Sequence, residues 1–357
     1  MRKLIQLIFC LGLGVVLIWF LFRNTNWQAV SAAIRGTSVR WLILSQIFAW
    51  ISYFARTQRW SYVVRAAHPT ATFRSLFSAT QIGFLVNFTI PARIGELVRA
   101  YMLAKMAKIP LSQCVVMVAL DRVNDMLALL AIIFVAVVSF PMYRDIRFAA
   151  GIFNNADPFI VPSALIQPFA VSLSVLLCLI IGVFVLIYIN QTQVLSFINI
   201  AGGKISERLT SRIVKLFLNF IKGMNVFSSG IEMAKSACFS AIIWGSSILS
   251  IAAILTAFTI DFPWFMPFLM LAMIAVLISV PVTPGVVGQY HIAVVACLLL
   301  VIPDINIDEA KAVAIVAHAF SMIPIIILGI FCLFRERMSF IELVPKSLNS
   351  NEEINDV

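Results

Sequence analysis

The chain has 357 residues, of which 62% are hydrophobic and 12% are charged, with a formal net charge of +10 and a mean hydropathy of +1.01. A soluble core could not use this much apolar surface, and the excess falls in blocks of roughly 20 residues, the length that spans a bilayer. This composition excludes a soluble globular protein. It predicts an all-α polytopic membrane protein with no nucleic-acid partner.

The cysteines give no sign of metal or disulfide chemistry. All six stand singly in apolar segments with no CxxC spacing, as small buried hydrophobic residues do. We expect no disulfide framework, no metal site and no cofactor.

The apolar runs follow one another along nearly the whole chain. The first begins after two basic residues and resembles a signal peptide, but it is long enough to span and no small-residue cleavage site follows it. We interpret it as a retained first helix. The second run ends at Arg56, Arg59 and Trp60, where interfacial anchors usually lie. The runs are 4–22, 41–55, 73–90, 115–139, 168–189, 236–260, 264–282, 286–302 and 311–334.

These runs form a single integral membrane domain, 1–335, with a first half at 1–167 and a second half at 168–335. The remaining residues, 336–357, are polar, and we expect them to form a disordered tail.

The stretch 87–103 departs most clearly from simple membrane helices. An apolar approach runs into Pro91, which cannot continue a hydrogen-bonded helix, and Arg93, Gly95, Glu96 and Arg99 follow at once. Paired charges after a helix break are hard to explain as a lipid-facing surface and easier to explain as a site.

The topology depends on whether this segment crosses the membrane or turns back. If it turns back, and the segment around Pro284 does the same, most of the 26 lysines and arginines fall on one side. Since basic residues favour the cytoplasm, both termini would lie inside, with about six full spans and two oppositely inserted re-entrant hairpins, 73–110 and 264–302. If both hairpins crossed fully, the chain would have more spans and the basic segment 93–110 would lie outside.

A faint internal repeat accompanies these opposed hairpins. Pro91, Gly95 and Glu96 in the first half correspond to Pro284, Gly288 and Gln289 in the second, each set after an apolar run and before a helical one. Inverted repeats with broken helices that meet near the midplane recur in transporters, where the half-helix N-termini point at anionic groups.

Three motifs carry a family resemblance. IPARIGELVRAYML, DRVNDMLALL and VPVTPGVVGQYH resemble the signatures of the flippase-like membrane family, which includes the transmembrane half of lysylphosphatidylglycerol synthases, over most of residues 5–335. The most specific part is Pro-x-Arg-x-Gly-Glu-x-x-Arg, which begins at Pro91. The resemblance implies movement of a lipid or lipid-linked headgroup between the leaflets of a bacterial inner membrane during envelope biogenesis.

The chain departs from the family pattern in two places. No aminoacyl-transferase domain follows residue 335, so we expect no lipid lysinylation. We expect a protein that is not an enzyme, with an enzyme acting on a lipid phosphate as the alternative. The second motif has Pro284, Gly285 and Gly288, but His291 stands where the family usually has an acidic residue. We expect His291 to be either a packing residue or a proton acceptor in a wet cavity, and His318 to be structural.

The charged residues of the first half form the predicted site. In the functional interpretation Arg93, and with it Arg99, receives a lipid phosphate because a planar guanidinium binds phosphate through two hydrogen bonds. A supporting network consists of Asp121, Arg122 and Asp125, and helical spacing predicts the pairs Glu96 with Arg99 and Arg122 with Asp125. The alternatives are a structural ion-pair lock and charges solvated at the interface.

Three functions remain open from the sequence. The first is a translocase for an anionic phospholipid or polyprenyl-phosphate-linked headgroup. The second is an integral membrane enzyme that acts on a lipid phosphate, although Arg122 between Asp121 and Asp125 disfavours a metal there. The third is a non-catalytic scaffold for envelope biosynthesis.

Overall fold

The computed structural model describes residues 2–90, 94–140, 146–148, 159–162, 190–203, 230–279 and 283–338, with isolated helical positions between 172 and 189 and between 210 and 218. The predicted helical class is confirmed, and a short antiparallel strand pair, β1 with β2, accompanies the helices. The elements are α1 (Arg2–Phe22), α2 (Trp27–Arg35), α3 (Val39–Ala67), α4 (Phe73–Thr89), α5 (Gly95–Ala107), α6 (Leu111–Ser139), β1 (Ile146–Phe148), β2 (Phe159–Val161), α7 (Gln191–Gly203), α8 (Gly230–Ala257), α9 (Met266–Ser279), a 3₁₀ turn (Pro284–Val286), α10 (Gln289–Val301) and α11 (Ile307–Arg335).

Local sequence signals set several of the helix boundaries. Asn26, Thr72 and Asn306 precede α2, α4 and α11, and each side chain accepts a hydrogen bond from a backbone N–H of the first turn. These caps satisfy donors that have no partner within the helix. Lys108 ends α5 in the left-handed conformation, with φ of +55°.

In the part of the chain that the structure describes, four segments are long and apolar enough to cross a membrane: Leu111–Ser139, Ala234–Ala257, Pro284–Val301 and Ile307–Arg335. The third reaches that length only because it joins the 3₁₀ turn to α10. Gly285 and Gly288, with φ of +62° and +87°, interrupt it, and glycine is the residue that adopts such angles without strain. The chain is therefore a membrane protein in which at least one apolar segment is discontinuous.

Helix α3 extends well beyond the second apolar run, to Ala67, and packs along α8. The contact between these helices is lined with small polar residues. Ser45 lies 2.9 Å from Ser250, and Ser52 donates to the carbonyl of Ile243 at 3.1 Å. Small hydroxyl residues let membrane helices approach closely and form hydrogen bonds with one another. These contacts place one face of α3 against α8 over much of its length.

Helices α4 and α5 form an antiparallel hairpin. Gly83 and Gly95 allow a close approach of the two backbones, because a Cβ atom on Gly95 would lie 2.1 Å from the Gly83 carbonyl oxygen. The side-chain oxygen of Asn87 accepts the Gly95 N–H at 2.8 Å and so joins the two helices across their connection.

Helices α9 and α10 form a second antiparallel hairpin, in which the side chain of Gln289 donates to the Leu277 carbonyl at 2.7 Å. Each hairpin has its own hydrophobic core. Trp60, Ile82 and Met102 belong to the first core, and Met270 and Leu298 belong to the second.

The predicted tail begins in an ordered contact. Glu336 accepts a hydrogen bond from Ser78 at 2.8 Å and one from Arg335 at 3.0 Å, and Arg335 also donates to Ser78. The remainder of the predicted tail, 339–357, lies outside the described residues, as does most of the predicted run 168–189.

Candidate functional site

A buried network of charges joins α3, α5 and α6. Its centre is Asp121, which is 1% exposed. One oxygen of this carboxylate accepts from Arg59 at 2.9 and 3.1 Å, and the other accepts from Arg99 at 2.8 Å. Charges this deep in a protein are stable only when they are paired and hydrogen-bonded. Asp121 therefore holds the three helices together through Arg59 and Arg99.

Asp125, one helical turn further along α6, is the second centre of this network. It pairs with Arg59 at 2.6 Å, with Arg122 at 3.1 Å and with Arg56 at 3.4 Å. Arg122 also reaches Glu96 at 3.6 Å. The network extends in this way from the start of α5 to the middle of α3.

The observed pairs differ in part from those that helical spacing predicts. Arg122 does pair with Asp125, but Glu96 does not pair with Arg99. The Arg99 guanidinium instead lies 3.8 Å from the ring centroid of Trp60 and points towards Asp121. Glu96 accepts from the amide of Asn87 at 3.2 Å and pairs with Arg122. The prediction for Glu96 and Arg99 was wrong because packing against another helix overrides the weak preference for neighbours on the same helix.

Two of the predicted substrate-binding residues, Pro91 and Arg93, lie outside the described residues. Gly95, which we grouped with them, is the first residue of α5 and is buried against Asn87 and Gly83. Its observed position is that of a packing residue between the two helices of the hairpin.

Sequence reasoning missed the role of Arg56 and Arg59. We predicted interfacial anchors at the end of a span, yet Arg59 and Trp60 are fully buried at 0% exposure, since α3 continues past them. A usable signal was present. Arg56 and Arg59 share one face of a helix, as do Asp121 and Asp125 on another apolar helix, so the two pairs can match.

The network carries an excess of positive charge. In the described part of the chain it contains the arginines Arg56, Arg59, Arg99 and Arg122 and the carboxylates Glu96, Asp121 and Asp125. Nε and Nη2 of Arg99 find no hydrogen-bond partner among the described residues. Oε2 of Glu96 likewise has no hydrogen-bond partner among these residues, so the network contains both an unused acceptor and unused donors, each of which is costly when buried.

A cavity of about 310 Å³ opens beside the network. Arg56 connects the two, because its guanidinium contacts Asp125 on one side, lies 5.2 Å from the ring of Trp244 and lines the cavity. With 17% of its side chain exposed, Arg56 is more accessible than Arg59. The other polar side chains that line the cavity are Ser52, Tyr53, Ser247, Ser250, Tyr290, His318 and Ser321.

The end of α4 contacts the 3₁₀ turn beside this cavity. Phe88, in the last turn of α4, lies against Gly285 of the 3₁₀ turn, so that a Cβ atom on Gly285 would be 3.1 Å from the Phe88 ring. Phe88 and Val286 both line the cavity. The last turn of α4 in the first hairpin therefore touches the 3₁₀ turn that precedes α10 in the second.

The residues of the second motif surround the same turn. Pro284 begins it, and His291 accepts the Gly288 N–H through Nδ1 at 3.4 Å. His318, which we expected to be structural, lines the cavity and donates from Nε2 to the Gly285 carbonyl at 2.9 Å. The lone histidine of the motif is thus one of a pair, since the rings of His291 and His318 are 4.7 Å apart.

A larger apolar groove runs along another face of α3. It has a volume of about 930 Å³ and is lined by α3 from Val39 to Gln58, with Phe239 and Ile242 of α8 and Phe320 and Ile323 of α11. At about 1.5 Å per residue, this stretch of α3 is about 29 Å long, close to the thickness of the hydrocarbon layer.

These features define a class: a helical membrane protein in which two hairpins meet beside a partly polar cavity and a buried ion-pair network. Residues 6–329 match the family model described as "Lysylphosphatidylglycerol synthase TM region", so the chain belongs to this family. The resemblance drawn from the three motifs is confirmed. No curated protein matches the chain.

Proposed function

We propose that this protein moves an anionic phospholipid or a polyprenyl-phosphate-linked headgroup between leaflets, and that it acts as a transporter and not as an enzyme. The observation that carries the proposal is the contact of Phe88 with Gly285 beside a cavity lined by Arg56. Discontinuous helices that meet near the midplane form the substrate sites of many secondary transporters.

Arg56 is the residue that would hold the headgroup. Its contact with Asp125, at 3.4 Å, is the longest of the three that this carboxylate makes, and Arg59 and Arg122 would remain on Asp125 if Arg56 moved away. A phosphate in the cavity could therefore take Arg56 without leaving a bare carboxylate. The guanidinium would bind two phosphate oxygens at once.

The lipid chains need a separate, apolar path. The groove along α3 supports this part of the proposal because its length matches the hydrocarbon layer and its walls are almost entirely apolar. Helix α3 lines the groove with one face and the cavity with another, so a lipid could leave its chains beside α3 while its headgroup enters the cavity.

Both hairpins are proposed to be re-entrant and to form an inverted repeat. Helices α4, α5, α9 and α10 have 17, 13, 14 and 13 residues, fewer than the roughly 20 that a span requires. Full spans would then be α1, α3, α6, the run 168–189, α8 and α11. The distribution of basic residues supports cytoplasmic termini in a bacterial inner membrane.

The test is a lipid redistribution assay in proteoliposomes that contain fluorescent phosphatidylglycerol, in which an impermeant reductant bleaches the outer leaflet. Arg56→Gln should slow redistribution at least about tenfold, since a hydrogen-bonded charge contributes about 1.5–3 kcal/mol. Arg40→Gln is the matched control, because Arg40 is exposed in the first turn of α3, where a positive charge is unfavourable.

Lipid redistribution at the wild-type rate in Arg56→Gln would show that Arg56 does not hold the headgroup. An absence of redistribution by the wild-type protein, together with a new product from labelled lipid, would favour the enzyme. The scaffold would be favoured if cells keep their phenotype when Arg56 and Glu96 are neutralised but lose it when surface substitutions prevent assembly of the complex.

A further inference from the structure

We infer that His318 is a proton-binding site and that the protein binds a proton together with the anionic headgroup. This inference rests on the proposed function and adds an energy source to it. His318 is 4% exposed, lies within a membrane helix and lines the cavity where the hairpins meet. Ionisable side chains at such positions are costly, and they commonly mark ion or proton pathways.

The hydrogen bonds of His318 determine which ring nitrogen can take the proton. Its Nε2 atom faces the carbonyl oxygen of Gly285 at 2.9 Å. A carbonyl can only accept, so Nε2 carries a hydrogen and Nδ1 is the basic atom of the neutral ring. A proton from cavity water would bind Nδ1, and the same proton would later return to water on the other side.

His291 is less suited to this role. Its Nδ1 atom accepts the Gly288 N–H at the start of α10, so protonation there would replace an acceptor with a donor and break that contact. The ring of His291 packs edge-on against Phe22 of α1 and against His318. His291 therefore acts as a neutral neighbour that fixes the orientation of the His318 ring.

Protonation of His318 would act directly on the contact between the hairpins. A charged imidazolium donates a stronger hydrogen bond to the Gly285 carbonyl. The Tyr290 ring, which stacks on His318 at a centroid distance of 4.9 Å, would also stabilise the imidazolium through a cation–π interaction. Gly285 is the residue that touches Phe88 of the first hairpin. The proton would thus strengthen the 3₁₀ turn at the point where the two halves meet.

The charges around the cavity explain why the proton needs an anion. The titratable and charged groups that line it with His318 are Tyr53 and Arg56 of α3 and Tyr290 of α10. The described lining residues of α4, α8, α9 and the 3₁₀ turn contribute none. A protonated His318 would share the cavity with a positive Arg56, and Asp125, the carboxylate that Arg56 contacts, already pairs with three arginines. A second positive charge becomes favourable when an anionic headgroup enters.

The test follows the histidine ring signals by NMR, since the chain contains only three histidines. Protein with isotope-labelled histidine is placed in phosphatidylcholine nanodiscs, with and without phosphatidylglycerol, and titrated between about pH 5 and pH 8.5, the range in which histidine changes charge. His68 does not line the cavity, and its Nε2 atom lies 2.7 Å from the side-chain oxygen of Gln113. Its signal therefore reports the effect of the anionic surface itself. Single His→Gln variants assign the signals.

We expect phosphatidylglycerol to move the His318 midpoint upward by about one pH unit more than it moves that of His68, as a tenfold linkage between proton and lipid requires. In proteoliposomes, lipid redistribution by the wild-type protein should be at least about fivefold faster near pH 6 than near pH 8. His318→Gln should lose this dependence, and His68→Gln should keep it.

An equal shift of both midpoints, or no protonation of His318 across the range, would overturn the inference. So would wild-type pH dependence in His318→Gln. A lipid-linked shift of His318 without any redistribution would support linked binding and would refute the translocase. The NMR titration uses the unmodified chain, so it decides the question even if His318→Gln does not fold.

Discussion

Removal of the Asp121 carboxylate is the sharpest test of the buried network. Asp121→Asn keeps the size of the side chain but removes the charge that pairs with both Arg59 and Arg99. The guanidinium nitrogens of these arginines lie 2.8 to 3.1 Å from the carboxylate oxygens, and both arginine side chains are at most 1% exposed. Breaking a buried ion pair by removing one partner costs about 3–5 kcal/mol, because the other charge stays buried and unpaired. Arg59 keeps Asp125, so we expect a value near the lower end of that range.

The measurement is the free energy of unfolding from reversible denaturation in mixed micelles. Asp261→Asn, in an exposed connection, is the matched control and should change this free energy by less than about 0.5 kcal/mol. Adding Arg99→Met to Asp121→Asn should restore part of the loss, because it removes the orphaned cation. A cost below about 1 kcal/mol for Asp121→Asn, or strict additivity of the two changes, would show that Asp121 does not hold the helices together.

Two further predictions address the first hairpin and the end of α11. Gly95→Ala should prevent close packing of the hairpin and lower the yield of folded protein, whereas Gly12→Ala, where an added Cβ meets nothing within 4 Å, should leave size-exclusion profiles unchanged. Burial raises the pKa of Glu336, but hydrogen bonds from Ser78 and the adjacent arginine outweigh it and the net pKa is lowered. Its contribution to stability is therefore present above the usual carboxyl pKa and lost as pH falls through the lowered value, so thermal unfolding of Glu336→Gln should depend less on pH in that acidic range.

The buried arginines show why part of the site escaped prediction. A hydropathy pattern ends a span where charges begin, and Arg56 and Arg59 are the first charges after an apolar run. The pattern cannot register that Asp121, far away in sequence, neutralises Arg59 within the protein interior. Charge burial depends on the partner, and the partner comes from another helix.

The contact of His318 with the second motif escaped prediction for a related reason. In the sequence it stands in an apolar run with no polar neighbour that would identify a partner. Its partner is a backbone carbonyl, that of Gly285, which every residue possesses. A bond of this kind leaves no trace in residue identity.

The sequence alone determined the class, the family motifs and the location of the helix breaks. These follow from local properties: apolar length, the missing N–H of proline and the positive φ that glycine tolerates. Only the tertiary structure decided that Arg99 faces Asp121 and not Glu96, that Arg56 borders a cavity, and that Phe88 touches Gly285. The physical reason is that each of these contacts joins residues from different helices, and their energies depend on how the helices pack against one another.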